Sequence, residues 1–177
     1  MPVIDFINTD CQMPDVVPDY EAERVHATVQ SYNTKMNEVY GFAYVPYLPL
    51  NINEINITTE PREVISSRFS GCMMVAWEDS RGVFAAHVAI DEYNCTDEWE
   101  KIKERAVRSF SFKPSDFIPS PADANTPNCY GIIEFDQNFQ IIAAYSIGVD
   151  LNNVVRQKVL VYKGRFEGKI DIVPDNK

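Results

Sequence analysis

The stretch Cys72-Met-Met-Val-Ala-Trp-Glu-Asp-Ser-Arg-Gly-Val-Phe-Ala-Ala-His-Val-Ala-Ile90 decides how this chain folds. Cys72 to Trp77 and Val83 to Ile90 are apolar and β-prone, and between them lies a polar turn with Asp79, Ser80 and Gly82. Two such runs around a short turn-forming segment predict an antiparallel hairpin. With Ser80-Arg81 as the loop, Asp79 faces Gly82 and Cys72 faces Ala89. With Asp79-Ser80 as the loop, Cys72 faces His87. Side chains alternate with period two, so either register puts Cys72 and His87 on one face of the sheet. Their Cβ atoms are then roughly 4.5 to 8 Å apart, as direct or diagonal neighbours. A loop of three or five residues would reverse the parity.

A thiol beside an imidazole is a nucleophile with its base, and a protonated imidazole stabilises the reactive thiolate. If the two groups form an ion pair, the histidine titrates above its ordinary value. Gly71 removes the Cβ just before the thiol, which permits a tight turn and close approach of a carbonyl group. The backbone N–H groups of Gly71 and Cys72 are the candidate donors for a tetrahedral oxyanion. The bland alternative is that Cys72 is a small hydrophobe at the start of a strand.

The run Phe69-Ser-Gly-Cys72 resembles the Leu-Ser-Gly-Cys signature of a group of bacterial glutamine deamidases: the catalytic domain of cytotoxic necrotizing factors, the Burkholderia lethal factor and the chemoreceptor deamidase CheD. In that group a strand, a turn and a second strand carrying the histidine follow the cysteine. His87 stands fifteen residues after Cys72, within the group's range. The resemblance spans about Ser66 to Ile90. Phe69 replaces the usual Leu, and Met73-Met74 replaces the small hydroxyl residues often found after the cysteine. The resemblance implies a β-sandwich with helices outside, and a cysteine-dependent attack on the side-chain carboxamide of a glutamine in a protein substrate. A transglutaminase would use an amine in place of water. The group's third catalytic element is a hydroxyl residue several positions before the cysteine or a main-chain carbonyl from elsewhere. Ser66, six before Cys72, is the positional match. The stretch before Pro46 is a source of a carbonyl, and Asp91 is a rival orienter of His87. Other Cys–His hydrolases, peptidases or amidases, would use the same dyad. A non-catalytic interaction module is the reading from a different class.

The chain has 177 residues, enough for a single catalytic domain over 1–177. Its net charge of −10 makes nucleic acid an unsuitable partner, since phosphates reward clustered Lys and Arg. Residues 1 to 60 hold nine acids and two bases, an acidic third suited to a solvated surface or to a basic protein partner. No apolar run reaches the length of a membrane span, and no signal-peptide pattern opens the chain. A protein injected or released by a specialised system would need none, so the location stays open between that and the cytoplasm. The chain is expected to be a monomer. Cys11, Cys72, Cys95 and Cys129 form no CxxC or Cys/His spacing for zinc, and His26 and His87 are the only histidines. No metal and no cofactor is therefore expected. The low cysteine density favours reduced thiols.

Along the rest of the chain, Val3 to Ile7 is a candidate edge strand, and Asp19 to Asn37 a helix burying Val25, Val29, Tyr32 and Met36. His26 lies beside that stripe as an ordinary helix residue. Glu38 to Tyr47 reads as a strand, and Leu50 to Ile57 as a short strand or loop. A second helix is predicted from Asp97 to Phe110, with Thr96 as its cap and Trp99, Ile102, Ala106 and Phe110 on one face. Ser111 to Asn128 reads as a long loop, a lid or a recognition loop. Two further hairpins are predicted: Tyr130–Phe135 with Gln140–Ile147, and Val154–Tyr162 with Phe166–Val173. Hairpins with two helices, rather than alternating strands and helices, give the fold class α+β, a mostly antiparallel β-sandwich with two or more helices packed outside.

Overall fold

A computed structural model describes residues 43–45, 52–58, 63–66, 69, 71–89, 95–118, 128–150 and 154–174. The predicted edge strand 3–7, the helix 19–37 with His26, Cys11 and Asp91 lie outside the described residues, as does Ser70 of the motif.

Among the described residues, ten strands form two five-stranded sheets. The first holds, in spatial order, β1 (Ala43–Val45), β3 (Glu63–Ser66), β7 (Asn128–Phe135), β8 (Ile141–Val149) and β9 (Val155–Lys163). The second holds β10 (Lys169–Ile172), β6 (Arg108–Phe112), β4 (Met73–Asp79), β5 (Gly82–Val88) and β2 (Ile52–Asn56). Pairing is antiparallel except for β1 with β3 and β10 with β6. The architecture is the expected α+β with mainly antiparallel sheets.

The hairpin that set the expectation is β4–β5. Asp79 pairs with Gly82, so the loop is Ser80-Arg81. Asp79 Oδ1 accepts the N–H of Arg81 at 2.8 Å and pins that loop. Both strands are central: β4 lies between β6 and β5, and β5 between β4 and β2. That explains their nearly unbroken apolar sequence, because both faces are covered. One face, with Met74, Ala76, Val83 and Ala85, meets Val64, Ile133, Phe135 and Ala144 of the other sheet in the sandwich core. The opposite face, with Val75, Trp77, Phe84 and Ala86, packs on α1 (Cys95–Arg105) through Cys95 and Trp99. The rings of Trp77 and Trp99 meet edge to face, 5.9 Å between centroids.

Three expectations need correction. The second helix ends at Arg105, and Arg108 to Phe112 is a strand. Arg-Ser-Phe-Ser-Phe alternates with period two, and Phe110 and Phe112 both enter the sandwich core. Helical spacing had claimed Phe110, but a central sheet position buries more of it. The third hairpin does not form either. β9 pairs with β8, and the chain then crosses to the other sheet, where β10 lies parallel to β6. Gly168, at φ +67°, turns the chain there, and its carbonyl accepts the N–H of Ser109. Arg108 locks the crossing. Its guanidinium pairs with Glu78 at 2.6 Å, donates to the carbonyls of Phe166 and Phe139, and stacks over the Phe166 ring. Finally, where the long loop was expected, Ser111 and Phe112 end β6 and Pro114–Phe117 forms a short 3-10 turn, while 119–127 lie outside the described residues. Among the described residues one α-helix, 95–105, packs outside the sandwich; the other expected helix, 19–37, lies outside them.

Candidate functional site

The site is built at one end of the sandwich, between the sheets. Met74 pairs with His87, which places Cys72 one step before the last paired residue, Met73, and opposite Ala89. Cys72 and His87 are thus diagonal neighbours on the face turned to the other sheet. Cys72 joins Met74 in the sandwich core and keeps 8% of its surface exposed, whereas His87 has none.

The opposite sheet meets His87 with small residues. Ser66, Gly131 and Ser146 stand side by side on β3, β7 and β8. A Cβ on Gly131 would lie 2.7 Å from Met74 Sδ, 2.9 Å from Pro114 Cγ and 3.3 Å from Phe69 Cε2. The missing side chain makes the hollow into which these three residues pack. Phe69 is fastened there by its N–H, which donates to the Cys129 carbonyl. Its ring lies flat on the His87 imidazole, 4.1 Å between centroids and 6° between planes.

Ser66 Oγ lies 2.8 Å from His87 Nδ1, and the Ser66 hydroxyl also donates to the carbonyl of Val45, its neighbour across the parallel pair. A carbonyl can only accept, and the hydroxyl has one hydrogen. Ser66 therefore accepts from Nδ1–H of His87, which fixes the neutral tautomer and leaves the lone pair on Nε2. The Ser66 hydroxyl meets His87 directly, and the Val45 carbonyl, just before Pro46, meets Ser66 and not the imidazole.

Burial pulls the His87 pKa down to about 3, because the imidazolium would lose its hydration. That is opposite in direction to the ion-pair expectation: at neutral pH the imidazole stands uncharged. Cys72, Cys95 and Cys129 are thiols rather than disulfides. Burial pushes the Cys129 thiol up to about 12, which marks it as inert.

Gly71 has φ +117°, a conformation that favours glycine. Among the described residues, no atom beyond its chain neighbours lies within 4 Å of where its Cβ would stand. The Gly71 amide, expected to face a substrate oxygen, instead donates to Ser115 Oγ at 3.1 Å. Sequence reasoning missed Phe69 as the platform for the imidazole and Ser115 as the acceptor of the Gly71 amide. Only the aromatic residue standing where Leu is usual hinted at the first, and no local signal marks the second.

No protein-family model matches the chain, and no curated protein matches it in sequence. Among solved structures it has a distant similarity to the C-terminal domain of CNFy from Yersinia pseudotuberculosis, at 12% identity and a TM-score of 0.35. The match covers 71% of this chain and 62% of that one, so the chain spans less than two thirds of that domain's length.

Proposed function

We propose that the protein is a cysteine-dependent hydrolase that deamidates glutamine side chains of a protein substrate, with Cys72 as nucleophile, His87 as base and Ser66 as the residue that orients His87. The observation that carries this reading is the chain of contacts from the Val45 carbonyl through Ser66 to His87 Nδ1. It presents an Nε2 lone pair on the face that Cys72 shares. Nucleophile, base and orienter are the three parts of an activated thiol. The choice of glutamine rests on the Phe69-Ser-Gly-Cys72 resemblance.

In the reaction, the Cys72 thiol gives its proton to His87 Nε2 as sulfur attacks the carboxamide carbon. The carbonyl electron pair moves onto oxygen. Collapse of this intermediate returns the pair, and His87 hands its proton to the departing nitrogen, releasing ammonia and leaving a thioester. Water then attacks, giving its proton to Nε2, and the expelled sulfur takes that proton back. The balance is glutamine plus water to glutamate plus ammonia. The desolvated imidazole holds a proton poorly, which suits it to pass the proton on.

Intact mass of candidate substrate proteins after incubation tests the reading. A gain of about one dalton, the difference between Gln and Glu, abolished by Cys72→Ser, is expected; a serine hydroxyl has too high a pKa to replace the thiol. Retained activity in purified Cys72→Ser would remove Cys72 from its role. Full burial of the neutral His87 favours a second reading, a structural polar pair inside a non-catalytic module. In that case Cys72 would react with thiol reagents only on unfolding.

A further inference from the structure

The Gly71 amide cannot hold a substrate oxygen while it donates to Ser115. The contact also changes what Ser115 can do. Its oxygen spends one lone pair on the Gly71 N–H, and its hydrogen has no acceptor among the described residues. The hydroxyl hydrogen is therefore left to donate, beside the backbone of the residue that precedes the thiol.

Ser115 is placed by packing rather than by chance. Pro114 is buried against the hollow at Gly131, and Ile118 is buried in the sandwich core, so both ends of the 3-10 turn are fastened. Ser115 between them is half-buried. A hydroxyl on a turn anchored at both ends is a preorganised donor, the kind that stabilises developing charge without moving.

We propose that Ser115 is a catalytic residue of this site, its hydroxyl donating to the oxygen of the substrate carbonyl as that oxygen becomes negative. This rests on the reading of Cys72 as nucleophile. Gly71 is a positioning residue: its N–H occupies one lone pair of the Ser115 oxygen and so holds that oxygen beside the thiol's own turn. No proton is transferred by Ser115; it binds the oxyanion and releases it when the intermediate collapses. The requirement is for a carbonyl attacked by sulfur, so the role holds for any amide or thioester that reaches Cys72.

Two small reagents separate this role from a structural one. The thiolate attacks the carbonyl carbon of p-nitrophenyl acetate, with charge developing on that carbonyl oxygen before p-nitrophenolate leaves, whereas iodoacetamide is displaced at carbon with none. Both rates are read at Cys72 by peptide mass spectrometry in the full chain, as acetylation and carbamidomethylation. In Ser115→Ala the acetylation rate should fall about tenfold or more while the iodoacetamide rate holds, as for loss of one oxyanion donor. Ser115→Thr, which keeps the hydroxyl, should retain at least part of the acetylation rate. Equal loss of both rates would show that Ser115 only holds the Gly71 turn, and no loss in either that it meets no developing charge; each overturns the proposal. A wild-type Cys72 inert to both reagents would overturn the nucleophile itself and Ser115 with it. A selective acetylation loss in a protein that deamidates no substrate would leave Ser115 standing and remove the choice of glutamine.

Discussion

Ser66 Oγ lies 2.8 Å from Nδ1 of His87, and the same hydroxyl donates to the carbonyl of Val45. Two strands of one sheet thereby hold a histidine that belongs to the other. The bond crosses the sandwich at the level of Cys72, so sheet packing and imidazole orientation are one event.

Ser66→Ala deletes that crossing and leaves two buried groups, the Val45 carbonyl and His87 Nδ1–H, without the hydroxyl. Each buried group left unsatisfied costs about 1–3 kcal/mol. The variant should unfold at clearly lower urea, with an unchanged m-value. Iodoacetamide should also alkylate Cys72 more slowly, because the tautomer is no longer enforced. An unchanged midpoint would mean that water replaces the hydroxyl.

The titration of His87 gives a signed pH dependence. Its folded pKa of about 3 lies below the ordinary value of 6.5. Between those values the unfolded chain binds a proton that the folded one refuses, so stability rises with pH. The contribution is complete above pH 6.5 and is lost as pH falls toward 3. The slope approaches about 1.4 kcal/mol per pH unit. Between pH 5 and 6.5, above most carboxylate titrations, urea midpoints of His87→Gln should depend less on pH than those of wild type. His26 is common to both proteins and drops out of the difference. Parallel profiles would mean that His87 titrates normally.

Cys129 supplies the opposite sign. Its thiol is raised from 9.0 to about 12 by burial, so the stability it contributes is present below pH 9 and is lost as pH climbs toward 12. In the folded protein it should resist alkylation up to about that range, while Cys72 reacts near neutral pH. Equal labelling of the two at pH 8 would place Cys72 among the inert core thiols.

The β4–β5 hairpin was legible because a two-residue turn, flanking apolar runs and side-chain parity are local facts. Parity alone brought Cys72 and His87 to one face in the register observed. Ser66 was legible only by its distance in sequence from Cys72, because its partners lie 21 residues away on each side: Val45 before it and His87 after it. Strand Glu63–Ser66 escaped notice, being four residues without clear alternation. The β6 error had a different cause. Ser109 looks like a helix residue and Ser111 like the start of a loop, yet both are buried in the sheet, where Ser111 bonds Asp171 of β10. The parallel β6–β10 pairing joins segments some 60 residues apart, which no local pattern encodes. The same holds for Ser115, which meets Gly71 from 44 residues away.

Gly71 and Gly131 fail in different ways when given a methyl group, and the contrast tests how the site is assembled. At Gly71 the methyl would meet no atom among the described residues, but φ +117° is a conformation that an L-residue resists. Gly71→Ala should cost about 1–3 kcal/mol of backbone strain, or relax the turn and turn its N–H away from Ser115. At Gly131 no positive φ is involved, but the methyl would meet Met74 Sδ, Pro114 Cγ and Phe69 Cε2. The thioether can swing aside; the proline ring, fixed by the backbone of its turn, cannot. Gly131→Ala should therefore push the Pro114 turn outward and lift Phe69 from His87, at about 1–3 kcal/mol of overpacking. The reactivity of Cys72 separates the two variants. Gly71→Ala acts on the donor that holds Ser115, so acetylation by p-nitrophenyl acetate should suffer more than alkylation by iodoacetamide. Gly131→Ala disturbs the platform under the imidazole as well, so both reactions should slow together. If Gly131→Ala leaves both rates untouched, the stacking of Phe69 on His87 contributes to packing alone.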